Sequence, residues 1–408
     1  MKRSSDRILV SHTGNLPRPA DLDELDDAGA FARRLPSAVA EVVEHQVAVG
    51  LDQVNDGEYV KRSGFGGYIR ERMSGVEVRQ QDPRQGAGSA WQGNRTGARD
   101  QLEFPGFHET HKNNSSVTGS FIRTPDGGSW ASGPVNRMVQ VCSGPVTYVG
   151  QAAIQQDIAH LQAALAQHPG VEGFIAALGP GTYSAGIVND YYADQEAFLF
   201  ACAEALHHEY QAIADAGLIL QIDEPELARA WQFFPSMSMP EYRAYTALRV
   251  AAINRALVGI PEEQIRLHLC WGSGHRPHKN DVPLGDIMDV VLEARVQCYA
   301  FEASNPRHEW EWRVFEALQL PPGKIIMPGV AGHATDIIEH PRLIADRLLN
   351  YARLVGPENV IAGTDCGLGT RNGHPEITWA KLEAMVEGAR LATDEMSSAA
   401  GGRTVVAR

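Results

Sequence analysis

Leu267-His268-Leu269-Cys270-Trp271 is the stretch on which the fold turns. The run is apolar and short, as a buried strand is, and a strand sends residues two apart to the same face. His268 and Cys270 therefore leave one face together and offer half of a tetrahedral zinc site. The other half has to come from neighbouring strand ends, so the arrangement of the remaining strands decides whether a site exists.

Outward from this stretch, apolar runs alternate with helical ones. Upstream, a helix over 240–258 leads into the strand Ile265 to Cys270, a helix over 191–216 into Leu218 to Asp223, and a helix over 151–168 into Val171 to Leu178. Downstream, helices over 285–295, 308–319 and 341–355 lead into Val296 to Glu302, Lys324 to Val330 and Asn359 to Gly363; a helix over 374–393 closes the series. At the start, Ile8-Leu9-Val10 and Leu51 to Asp56 are two more strands. Between them Val39, Val42, Val43 and Val47 recur at helical spacing from Pro36, and Gly50 ends the helix.

Eight strands alternating with helices in 408 residues predict an α/β fold, a (β/α)8 TIM barrel rather than an open sheet. The polar residues decide between the two. Glu58, Asp223, His268, Cys270, Glu302 and Cys366 all fall at the C-terminal ends of strands. A barrel gathers those ends on one face, whereas an open sheet spreads them across its width.

Residues 76–149 break the alternation, being rich in Gly, Ser, Asn, Gln and Arg without a helical period. Val139-Gln140-Val141 and Val146-Thr147-Tyr148-Val149 are the plausible strands there. An unstructured loop of that length is improbable inside a compact domain. The segment is read as an insertion after strand 2, with hairpin character, packed over one end of the core or used in assembly. The whole of 1–408 is otherwise expected to be one zinc-binding barrel domain.

The formal net charge of -14, from 36 basic and 50 acidic residues, argues against a nucleic-acid or anionic-membrane partner. Cys142, Cys202, Cys270, Cys298 and Cys366 are odd in number and scattered, which suggests no disulfide framework and a reducing compartment. Met1-Lys2-Arg3-Ser4-Ser5-Asp6 lacks the apolar core of a signal peptide, and no apolar run reaches the roughly 18 to 20 residues of a membrane span. A cytoplasmic protein is expected, and a homo-oligomer is left open.

On a barrel face, His268 and Cys270 of strand 5, Glu302 of strand 6 and Cys366 after strand 8 converge as one nitrogen, two thiolates and one oxygen, a set within zinc's preferences. Cys202 and Cys298 are read as small buried hydrophobes. The motifs His268-Leu269-Cys270, Phe301-Glu302-Ala303-Ser304-Asn305 and Thr364-Asp365-Cys366-Gly367-Leu368-Gly369-Thr370-Arg371 resemble the zinc motifs of cobalamin-independent methionine synthases. Gly144-Pro145-Val146-Thr147 and Gln221-Ile222-Asp223-Glu224-Pro225 resemble two further motifs of that family's catalytic half. Phe301 to His308, Ile338-Glu339-His340-Pro341 and Trp379-Ala380-Lys381-Leu382 are similar to its shorter relatives, among them epoxyalkane:coenzyme M transferases.

The resemblance implies a Zn2+ that binds a small thiol and holds it as thiolate for attack on an electrophilic alkyl or methyl donor. It implies that Glu58 and Asp223 grip the amino group of a homocysteine-like substrate, with Asn15 in the loop beside them. It places His333 close to a proton-donating catalytic His; His12, His275 and His278 are weaker candidates. Asn15, Trp271, Gly369 and the Gly272-Ser273-Gly274-His275 loop depart from the methionine synthase pattern, which in full length carries a further barrel. These departures favour a smaller electrophile, such as an epoxide, over methyltetrahydrofolate with homocysteine. A metal-dependent lyase or decarboxylase on the same barrel is the rival from another class.

Overall fold

The computed structural model describes residues 1–62, 64–80, 99–111, 138–272, 276–369, 372 and 374–402. Among them are the strands β1 (Leu9–Val10), β2 (Gln53–Val54), β3 (Val76–Gln80), β4 (Met138–Cys142), β5 (Glu172–Leu178), β6 (Ile187–Asn189), β7 (Ile219–Asp223), β8 (Ile265–Leu269), β9 (Cys298–Glu302), β10 (Ile325–Ala331) and β11 (Ile361–Thr364). Eight of them form one sheet in the order β1-β11-β10-β9-β8-β7-β5-β2. Every pairing in it is parallel. Its two ends meet where the Asp52 N–H donates to the Val10 carbonyl at 2.8 Å, so the sheet curls into a nearly closed barrel. These are the eight strands expected from the sequence, in their expected order.

The barrel interior is not purely apolar. Arg266 of β8 is wholly buried and donates to Gln221 Oε1 at 2.9 Å, Ser11 Oγ at 3.0 Å, Gln53 Oε1 at 3.1 Å and the His12 carbonyl at 3.1 Å. One buried cation thus ties β7, β8 and the ends of β1 and β2, its donors satisfied as burial demands. Around the barrel, helices Ala28–Val49, Gln151–Leu165, Gln195–Asp215, Met239–Ala256, Pro341–Val355 and Pro375–Gly402 present apolar stripes to the strands.

Helix boundaries differ from expectation in three places. The first long helix begins eight residues before Pro36, capped by the Asp27 carboxylate on Ala30 N–H at 2.6 Å, and carries Pro36 inside it. Residues 285–295 and 308–319 hold short helical turns, Met288–Val291 and the 3-10 segment Glu309–Glu316, instead of full helices. Val146 to Val149 make an isolated bridge, Met73 to Tyr148, and not a strand.

Part of the 76–149 segment lies outside the described residues. What is described forms a small sheet, β3-β4-β6, in which β3 and β4 pair antiparallel and β6, from the loop after β5, pairs parallel with β4. Residues 99–103 lie over the loops that follow β7 and β8. Arg99 stacks on the Trp231 ring at 3.5 Å and donates to the carbonyls of Trp231, Phe234 and Met237 at 2.8 to 2.9 Å. Asp100, buried, accepts from Asn280 N–H at 2.9 Å. No described helix is long and apolar enough to cross a membrane.

Candidate active site

The C-terminal ends of the strands build the site. β7 and β8 pair in register at Asp223 and His268, so both side chains leave the same face at the same height. Asp223 Oδ1 consequently meets His268 Nδ1 at 2.9 Å, which leaves His268 Nε2 facing the mouth, 3.3 Å from the Asp365 carbonyl. Burial opposes the imidazolium, but Asp223 outweighs it and pushes His268 up to about 9. Cys270 follows two residues on, and the loop after β11 delivers Cys366; the ligand atoms of His268, Cys270 and Cys366 lie within 4.8 Å of one another. The thiol of Cys270 is held far above its ordinary range by its hydrogen bond to Cys366, by burial, and by the charges of Cys366 and Glu302.

Glu302 ends β9 beside this cluster, but other partners hold its carboxylate. Oε1 accepts Trp271 N–H at 2.9 Å and Oε2 accepts the Asn305 amide at 3.1 Å. It groups with His333 and Asp365, whose ligand atoms also lie within 4.8 Å of one another. His333 follows β10, is buried, and neither of its ring nitrogens has a hydrogen-bond partner among the described residues.

The loop after β2 brings Glu58 to the same face by an unusual route. Asn55 Oδ1 accepts Gly57 N–H and Asp56 Oδ1 accepts Glu58 N–H, both at 2.9 Å, and these two turns force left-handed backbone at Gly57 (φ +71°) and at Glu58 (φ +59°). A left-handed non-glycine is uncommon and clusters at functional sites. Glu58 is buried and its Oε1 has no hydrogen-bond partner among the described residues, only Lys61 Nζ at 3.6 Å; burial first, opposed by Lys61 and reinforced by Asp223, raises it to about 8. Asn15 lies at the edge, its carbonyl accepting Leu368 and Gly369 N–H at 3.0 Å, so the β1 and β11 loops are stitched together.

Sequence reasoning gave no role to Asp365, which the structure places at the centre of the wall. Its Oδ1 accepts Ala303 and Ser304 N–H at 2.8 and 3.0 Å, and Oδ2 accepts Ser304 Oγ at 2.6 Å. Its position beside a candidate ligand Cys at a strand end was the available signal. Glu224, in the same motif as Asp223, turns away from the site and accepts Gly181 N–H at 2.7 Å. Of the weaker candidates, His12 is buried on Gln46 Oε1 at 2.9 Å, His278 pairs with Asp281, and His275 lies outside the described residues.

With this geometry established, comparisons with known proteins decide the family. Residues 131–391, more than half of the chain, match the model of the cobalamin-independent synthase catalytic domain. The chain belongs to this family. It is 27% identical over 219 residues to the methionine synthase of Pyrococcus horikoshii, covering 53% of this chain and 56% of that one. It is 26% identical over 226 residues to that of Saccharolobus islandicus (strain L.S.2.15 / Lassen #1), covering 54% and 59%. The match therefore spans only a little over half the length of these relatives.

The fold of this family member is shared with the B12-independent methionine synthase from Shewanella sp. W3-18-1 in complex with selenomethionine. The TM-score is 0.65 at 19% identity, over 96% of this chain and 99% of the other. The putative B12-independent methionine synthase from Listeria monocytogenes aligns with a TM-score of 0.61 at 17% identity, covering 94% and 98%.

Proposed function

We propose that this family member transfers a methyl group to a small thiol, homocysteine in the best-supported case, with His268, Cys270, Cys366 and Glu302 holding a zinc ion. The observation that carries the reading is the convergence of His268, Cys270 and Cys366, with Asp223 already orienting the imidazole as the outer partner of a metal-bound His does. The donor set fits zinc, and the buried thiol of Cys270, beside Cys366 and Glu302, needs a cation before it can ionise. A zinc ion held by these residues would supply the charge that keeps a substrate thiol as thiolate, the nucleophilic form.

The chain's own residues do the rest. Glu58, buried beside Lys61 and raised to about 8, faces the place of the substrate ammonium, whose positive charge would draw its carboxyl into the ionised form, while Asp223 is already engaged with His268. In the transfer, a sulfur–carbon bond forms, the donor's bond to methyl breaks, and the donor keeps the electron pair and takes up a proton. His333, with both ring nitrogens unpartnered among the described residues, is the residue that passes that proton.

The sequence ranked a smaller electrophile above a methyl donor, and the order is here reversed. Two of the departures behind that ranking are packing features. Trp271 is wholly buried, stacked on His308 at 3.8 Å, and a side chain at Gly369 would collide with the Leu16 backbone. The relatives that match are methionine synthases, which supports methyl transfer.

The test is turnover of the zinc-loaded protein with homocysteine and methyltetrahydrofolate, against a thiol with a small epoxide. Methionine is expected, with kcat lowered about 10²- to 10⁴-fold by His333→Asn, and a raised KM for homocysteine in Glu58→Gln. Cys270→Ala and Cys366→Ala should lose zinc. Thioether from the epoxide alone would replace methyl transfer by epoxide opening, and full zinc retention in both Cys variants would remove the metal centre.

A further inference from the structure

We infer that His278 Nδ1, Asp281 Oδ2 and His308 Nε2 form a second metal site, separate from the cysteine cluster, for a divalent cation of the zinc type. The three ligand atoms lie within 4.8 Å of one another, and the residues are 7%, 4% and 1% exposed. Both imidazoles aim at one oxygen: His278 Nδ1 stands 2.5 Å and His308 Nε2 3.1 Å from Asp281 Oδ2. With metal–nitrogen bonds of about 2.0 to 2.1 Å, ligand atoms around one ion stand roughly 3 to 3.5 Å apart. The cluster needs to open by less than about 1 Å to receive it.

The surroundings are those of a metal site. Ligating histidines donate their other ring N–H to a carboxylate, and ligating carboxylates are themselves hydrogen-bonded. His308 Nδ1 meets Glu311 Oε2 at 2.9 Å, and Glu311 is fixed in turn by Leu284 N–H at 2.9 Å. Asp281 Oδ1 accepts the Gln232 amide at 2.7 Å. The His308 ring is clamped by the Trp271 indole. His278 sits in left-handed backbone, φ +53°, a conformation that the surrounding structure has to enforce.

Arg276 opposes a cation here, and Glu302 and Glu311 favour one. The ion would tie the loop after β8 to the loop after β9 beneath Trp271, whose N–H holds Glu302. It would act as a clasp on the wall of the mouth and take no part in the chemistry.

The experiment is zinc stoichiometry of the full chain after zinc loading and passage over a chelating resin, with zinc-edge X-ray absorption. Wild type should hold two equivalents, and His278→Gln and Asp281→Asn one each, with unchanged circular dichroism. Cys270→Ala/Cys366→Ala should retain one, bound by nitrogen and oxygen alone. One equivalent in wild type that vanishes in the double Cys variant would overturn the site, as would two equivalents persisting in folded His278→Gln.

Discussion

His12 shows how a residue suited to proton transfer becomes scaffold. Its ring is buried against Phe174 at 5.2 Å, with Nε2 on Gln46 and the Arg266 guanidinium close by. Burial first, then the charge of Arg266, brings its pKa down from 6.5 to about 4. A group depressed on folding contributes stability that is complete above its unfolded value and is lost as pH falls toward the folded one. The window runs from 6.5 down to about 4. At about 1.4 kcal/mol per pH unit, the loss across it is about 3 kcal/mol. Urea unfolding between pH 7 and 4.5 should show this slope in wild type and a shallower one in His12→Gln; identical slopes would refute the assignment.

At the level of elements, the loop that carries His333 is held by one buried ion pair. Lys381, wholly buried in the last helix, donates to Glu339 Oε2 at 2.9 Å and to the Ile337 carbonyl at 2.5 Å. Glu339 Oε1 accepts Gly332 N–H at 2.7 Å, one residue from His333. Removing one member of a buried pair leaves an uncompensated charge, at a cost of about 3 to 5 kcal/mol, whereas replacing both by apolar groups is often neutral. Lys381→Met should therefore destabilise strongly, and Lys381→Met/Glu339→Leu should recover most of the loss in urea midpoint. Activity should stay low in the double variant, because Gly332 has lost its acceptor. Full activity there would show that the pair does not position His333.

For the whole molecule, the feature to test is the docking of residues 99–103 over the barrel mouth. Arg99 alone fixes three carbonyls of the loop after β7 and stacks on Trp231. Arg99→Ala takes a donor from each of those carbonyls, of which Trp231 and Phe234 keep a backbone N–H, and removes a cation–π contact of about 0.5 to 2 kcal/mol. Limited proteolysis should then cut within 76–149 faster than in wild type, with the barrel helices still protected. An unchanged digestion pattern would show that other contacts hold the segment.

Periodicity and strand-end polarity made the barrel legible, because each β/α unit is a local pattern and the eight units close in chain order. The same logic put His268 and Cys270 on one face, since residues two apart in a strand have no other choice. Partnership was not legible in that way. The register of β7 on β8 gives Asp223 to His268, and the loop after β9 joins Asp365 to Ser304; both depend on how distant segments are aligned. Short helical turns replaced full helices at 285–295 and 308–319 because packing overrides local propensity. The His278, Asp281 and His308 cluster spans the loops after β8 and β9, and the pairing of those two strands sets the loops side by side while their packing decides which side chains meet. Sequence determined which residues face the mouth, and tertiary structure decided which of them touch.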